Sequence, residues 1–131
     1  MRGVDTNVLV RLLVSDDLSH QRRAAARVER ANDRGEGLLV TPLVLASLCW
    51  VLEAGYDFRR EQIADAVRAL LESPPFVVTQ RAQVEEALGW YEQGPAGFAD
   101  YLILSAVRAE GGEGLITFDR ALLKRPDCER P

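Results

Sequence analysis

The stretch Leu38-Leu39-Val40-Thr41-Pro42-Leu43-Val44-Leu45 decides the fold class. Three apolar residues in a row read as a short buried strand. Thr41 then offers a capping hydroxyl, and Pro42 takes the first helical position, where a missing N–H costs nothing. A strand that runs straight into a helix is half of a β–α–β crossover, the connection that parallel sheets require. The helix is expected to reach Ala54, with Gly55 ending it. It is apolar nearly all round, so a central, buried position is expected.

The same alternation extends in both directions. Upstream, Val4 is expected in the middle of a very short strand that ends at Asp5. Asn7 to Val14 then reads as a short buried helix, broken by Ser15-Asp16-Asp17. Ser19 is expected to cap a second helix running to about Arg34, with Gly35 at its C′ position. Downstream, Ile63, Val67, Leu70 and Leu71 fall at helical spacing within Arg60 to Glu72. Phe76-Val77-Val78 follows Pro74-Pro75 as a strand. Gln83 to Gln93 and Phe98 to Glu110 read as helices, separated by Gly94-Pro95. Leu115-Ile116-Thr117 is a further strand, with a short helix around Arg120 to Lys124 after it. Together these imply a three-layer α/β/α sandwich with a short, mostly parallel central sheet of four to five strands. A single domain over residues 1–131 is expected.

Composition narrows the function classes. The chain has 131 residues, 47% apolar and 27% charged, which fits a globular domain and excludes a disordered or fibrous one. Lysine plus arginine minus aspartate plus glutamate is 16 − 20, a net charge of −4. A whole-surface basic nucleic-acid binder is excluded, but a local basic patch is not. His20 is the only histidine, and Cys49 and Cys128 stand far apart. That argues against a Cys/His zinc site, and against a Ser-His-Asp triad unless His20 supplies it. Cys49 lies in an apolar run and reads as a buried thiol. The N-terminus lacks the apolar segment of a signal peptide, and the longest apolar stretch is too short to span a bilayer. A cytoplasmic protein, away from membranes, is expected.

Three carboxylates carry the chemistry. Ligands of open α/β sheets bind outside the carboxyl ends of the strands. Asp5 ends the first strand, and Asp119 lies just beyond Leu115-Ile116-Thr117. Asp100 sits among Phe98, Ala99, Tyr101 and Leu102, an apolar setting for an acid. Each can also be read as a helix cap, and capping does not exclude metal binding. Gathered together, the three acids would repel one another, and a hard cation such as Mg²⁺ relieves that repulsion. Such an ion can activate water and offset phosphodiester charge. Thr6 and Thr117 are placed to orient waters or carboxylates around it.

Val4-Asp5-Thr6-Asn7-Val8-Leu9-Val10-Arg11 resembles the opening of a PIN domain of the VapC type. Pro42-Leu43-Val44-Leu45 with Trp50-Val51-Leu52-Glu53, Phe98-Ala99-Asp100 and Thr117-Phe118-Asp119 resemble later parts of that family in the same order. The resemblance implies an endoribonuclease dependent on Mg²⁺ or Mn²⁺, with Asp5, Asp100 and Asp119 as its metal-binding and catalytic acids. It further implies the toxin of a type II toxin–antitoxin pair, a homodimer, an RNA substrate and a cognate antitoxin protein. Two family acids are absent: Ser47 stands where a glutamate is usual and Gly97 where an aspartate is usual. Glu53 is six positions from Ser47, about 240° round a helix, and cannot replace the glutamate. Ser47 is expected either to bond back to a helix carbonyl or to hold a water in the glutamate's space. A degenerate PIN-like module, acting by protein or RNA binding, is the alternative.

Other features have simpler readings. Arg23, Arg27, Arg30 and Arg34 share one helical face and can meet RNA phosphates, or pair locally with Glu29 and Asp33. Gly111-Gly112-Glu113-Gly114 lacks the following lysine and helix of a phosphate loop. Trp50 and Trp90 read as core or interface anchors rather than stacking platforms. A receiver-type signalling domain would want an acidic pair after the first strand and an aspartate after Phe76-Val77-Val78, where Gln80 stands.

Overall fold

A computed structural model describes residues 1–131. It is a mixed α/β chain with six α-helices, one 3₁₀ turn and five short strands, every strand pair parallel. The chain divides into two compact units, Met1–Gln80 and Arg81–Pro131.

In the first unit, β1 (Arg2–Gly3), β2 (Leu38–Val40) and β3 (Phe76–Val78) form a sheet in the order β1-β2-β3. Parallel neighbours demand crossovers. These are supplied by α1 (Thr6–Leu13) with α2 (Leu18–Asp33), and by α3 (Pro42–Tyr56) with α4 (Arg60–Glu72). α1 packs on α2 and α3, and α4 packs on β3. Leu9, Val40, Leu45, Leu48, Leu52, Ile63 and Val67 are fully enclosed and make the core of this unit.

Several boundaries differ from the sequence reading. The first ladder covers Arg2–Gly3 rather than centring on Val4, although the Val4 N–H still donates to Leu39 O at 2.9 Å. Asp17, not Ser19, caps α2: its carboxylate accepts the His20 N–H at 3.0 Å, the usual reach of a capping oxygen. α3 runs through Gly55 and ends at Tyr56, closed by its C-cap Asp57 with a left-handed φ of 55°. A glycine inside a helix weakens it without ending it when tertiary packing holds the next turn. α3 is also not buried all round. Leu45, Leu48, Cys49 and Leu52 are covered, while Leu43 is 81% and Trp50 69% exposed. Trp50 is therefore no core anchor.

The second unit holds α5 (Arg81–Gln93) packed against α6 (Phe98–Ala109), then β4 (Leu115–Ile116), a 3₁₀ turn (Leu122–Lys124) and β5 (Cys128–Glu129). Its core is Val84, Tyr91, Phe98, Tyr101 and Leu104. Tyr91 and Phe98 meet edge to face at 5.8 Å, the favoured aromatic geometry. Trp90 is half-buried, with the Arg125 guanidinium 4.5 Å from its ring centre. The strands thus pair as three plus two rather than in one continuous ladder: β1 bonds to β2, and β4 to β5. The final helix is a single 3₁₀ turn.

Candidate metal centre

Asp5 stands at the N-cap of α1. Val4 before it is buried beside β2, so the chain emerges at a fixed point. The exposed Asp5 carboxylate accepts the Thr6 N–H at 2.7 Å. It makes no ion pair, so three of its lone-pair sites are open to other partners. Thr6 begins the helix, half-buried.

Asp100 lies in the first turn of α6. Its Oδ2 accepts the Gly97 N–H at 3.2 Å, the backward-reaching half of a capping box. The carboxyl is half-buried, and its pKa is raised above the ordinary aspartate value. Burial is the main cause, the Gly97 hydrogen bond opposes it, and the negative charge of Asp119 adds to it. No arginine or lysine pairs with either acid. Asp119 is exposed, and its Oδ2 accepts the Leu122 N–H at 2.9 Å, so it caps the 3₁₀ turn. The Thr117 hydroxyl accepts the Asp119 N–H at 3.0 Å and fixes the loop. In the second unit, then, two carboxylates feel one another's charge without a cation to offset it. Within neither unit do three His, Cys, Asp or Glu side chains come close enough to hold a metal ion by themselves.

Ser47 sits on the exposed face of α3 and its hydroxyl makes no hydrogen bond, so the bond back to a helix carbonyl does not form. Gly97 is the N-cap of α6, and a Cβ added there would stand 3.1 Å from Asp100 Oδ2.

The arginine stripe divides. Arg23, Arg27 and Arg30 line a groove of about 800 Å³ between α1 and α2, together with Arg11 and His20. Arg34 lies outside it, at the C-cap of α2. Arg27 pairs with Glu36 at 2.5 Å and Arg11 with Asp16 at 2.8 Å. Glu29 and Asp33 pair with none of the four, contrary to expectation. On a helix an acid three or four places away can still point to water. Arg23 and Arg30 are left exposed and free of ion pairs. Arg11 and His20 were not legible as part of this face, because α1 and α2 meet only through packing.

Residues 4–127 match the PIN domain family, which covers nearly the whole chain, and the chain belongs to that family. It is also similar to a VapC ribonuclease of Aquifex aeolicus (strain VF5). The two are 28% identical over 128 residues, covering 95% of this chain and 91% of that protein. The six helices and parallel strands agree with this fold class. No helix is long and apolar enough to cross a membrane.

Proposed function

We propose that the chain is an endoribonuclease dependent on Mg²⁺ or Mn²⁺, with Asp5, Asp100 and Asp119 as the acids that hold the cation. The observation that carries this reading is Asp100: a half-buried carboxyl whose proton is held more tightly by burial and by Asp119, with no cation paired to it. A carboxyl perturbed by burial and by a neighbouring like charge is a functional-site candidate. All donors are hard oxygens, the set that Mg²⁺ and Mn²⁺ prefer. When bound, a divalent cation supplies positive charge against the scissile phosphate and acidifies water near it.

The protein's own part is placement. Thr117 holds the Asp119 backbone through its hydroxyl, and the Leu122 N–H fixes one carboxylate oxygen. The Gly97 N–H does the same for Asp100, and the Thr6 N–H for Asp5. Each acid keeps open lone pairs on a backbone that is already anchored. Ser47 would contribute only as a water-holding hydroxyl. The free arginines Arg23 and Arg30 would hold RNA phosphates, with Arg27 and Arg34 as lesser contributors. The similarity to a VapC ribonuclease supports a role as the toxin of a type II pair, cytoplasmic and homodimeric, acting on RNA and held in check by a cognate antitoxin. The serine at 47 and glycine at 97 favour a second reading, a PIN-like module that binds protein or RNA without cutting.

Mn²⁺ calorimetry with parallel RNA cleavage separates the two. The ribonuclease reading expects wild type to bind and cleave, and Asp5→Asn and Asp100→Asn to lose both. A folded wild type that neither binds millimolar Mn²⁺ nor cuts RNA leaves the binding-module reading. Reversing the charge of Arg23 and Arg30 should weaken RNA affinity; unchanged affinity removes these residues from the RNA face.

A further inference from the structure

Phe118, Asp119 and Arg120 lie in succession just past β4, in the unit that also holds Asp100. Phe118 is 77% exposed. The paired rings of this unit are Trp90 with Tyr101 and Tyr91 with Phe98, so Phe118 has no aromatic partner. Exposed apolar side chains are ordinary, and Ile116, two residues earlier, is exposed as well. Phe118 is set apart by the rigidity of its backbone. The Thr117 N–H donates to Glu129 O at 2.9 Å, and the Asp119 N–H to Thr117 Oγ1 at 3.0 Å. The Asp119 carboxylate accepts the Leu122 N–H at 2.9 Å. Both residues flanking the ring are therefore anchored while the ring itself is in solvent. Its charged neighbour is equally uncommitted. Arg120 is exposed and makes no ion pair, whereas Arg11, Arg27, Arg108 and Arg125 are each held by a carboxylate.

An aromatic face, a metal-seeking carboxylate and a free guanidinium in three consecutive residues match the three chemical parts of a nucleotide next to a scissile bond. Bases stack on aromatic rings whatever their identity, and a guanidinium takes a phosphate through its fork of donors. We infer that Phe118 and Arg120 form a nucleotide platform flanking Asp119. An unpaired base of the RNA stacks on Phe118, and Arg120 holds an adjoining phosphate. The inference rests on the ribonuclease reading and adds two positioning residues to it. A base locked in a duplex presents no free face, so the platform selects unpaired segments.

The test measures anisotropy of a short labelled single-stranded RNA in EDTA, where hydrolysis is stopped, alongside gel filtration and thermal unfolding. Phe118→Ala should weaken binding roughly tenfold with an unchanged salt dependence and an unchanged melting temperature. Arg120→Ala should weaken binding and lower the salt slope by about one counterion. Phe118→Trp should restore affinity, and its added indole should be quenched by RNA at the same midpoint. If wild type binds and cleaves RNA but Phe118→Ala alters neither, the platform is wrong and the ribonuclease reading stands. If Phe118→Ala changes the oligomeric state and leaves RNA affinity intact, the ring is a contact between copies and the platform is likewise wrong. If wild type binds no RNA with or without metal, both fall together.

Discussion

Gly114 sits at the entry to β4, where a side chain has no room. A Cβ there would overlap the Asp127 carbonyl oxygen and lie 2.6 Å from its carbon, both backbone atoms of the chain leading into β5. Real Cβ atoms essentially never come closer than 3.0 Å to such neighbours, so in Gly114→Ala one strand must move by about 1.5 Å to clear the oxygen, and no rotamer change can absorb it. That movement breaks the ladder bonds that hold the pair, Leu115 N–H to Asp127 O at 3.1 Å and Thr117 N–H to Glu129 O at 2.9 Å. Overpacking of this kind costs about 1–3 kcal/mol, and each lost hydrogen bond about 1 kcal/mol. A total near 3 kcal/mol corresponds to a fall in Tm of about 10 °C for a chain of this size. Gly89→Ala is the matched control, since a Cβ at this position in α5 meets nothing within 4 Å. It should raise stability by about 0.5–1 kcal/mol. Urea unfolding followed by circular dichroism reads both variants. A Gly114→Ala protein that melts within a degree or two of wild type would refute the close approach of these strands. The substitution should also disturb Thr117 and Asp119, so Mn²⁺ affinity should drop along with stability.

Three further outcomes follow from the packing and the electrostatics. Asp100 has a raised pKa, so its charged form is disfavoured in the fold; the fold loses stability as pH rises through that pKa and regains it as pH falls below. Asp100→Asn should therefore stabilise the metal-free protein at pH 7, by at most about 1 kcal/mol once solvent screening is counted. The gain should vanish in acid, and a destabilised variant at neutral pH would contradict the assigned burial. Thr41 caps α3 through the Val44 N–H at 3.3 Å, so Thr41→Ala should cost about 1 kcal/mol in urea titration, while Thr41→Ser should cost far less. Cys49 is buried, which pushes its thiol up to about 12, and Cys128 is buried and raised as well. A thiol reagent at pH 8 should label neither in the native protein and both after unfolding; rapid native labelling of Cys49 would show that α3 does not cover it.

Elements set by local chemistry were legible in the sequence. Leu38–Val40, Arg60–Glu72 and Phe76–Val78 fall where apolar runs, Thr41-Pro42 and Pro74-Pro75 put them. The desolvation of Asp100 was legible too, since its flanking residues are nearly all apolar. What depends on distant packing was not. The composition of α3 shows that the helix is apolar, but not that Leu43 and Trp50 lack neighbours to cover them. β5 is two residues long and carries no periodicity to read. The cap of α2 turned on whether Asp17 or Ser19 took the N-cap position; both types cap well, and composition alone does not choose between them. The charge that Asp119 exerts on Asp100 comes from the way the chain returns after α6, and no spacing rule encodes that.

The loop between α1 and α2 also has a mechanical consequence. Asp16 accepts the Arg11 guanidinium through Oδ1 and the Tyr56 hydroxyl through Oδ2, both at 2.8 Å. Arg11 belongs to the last turn of α1, and Tyr56 is the final residue of α3. One carboxylate thus ties the end of α1 to a tyrosine 40 residues beyond the carboxylate itself. α1, a rod of about 12 Å, is pinned at this end by Asp16 and at the other by Val4 docking on Leu39. Contacts at both ends resist sliding and pivoting of the rod, so the position of the carboxylate at its tip is coupled to the far end of α3.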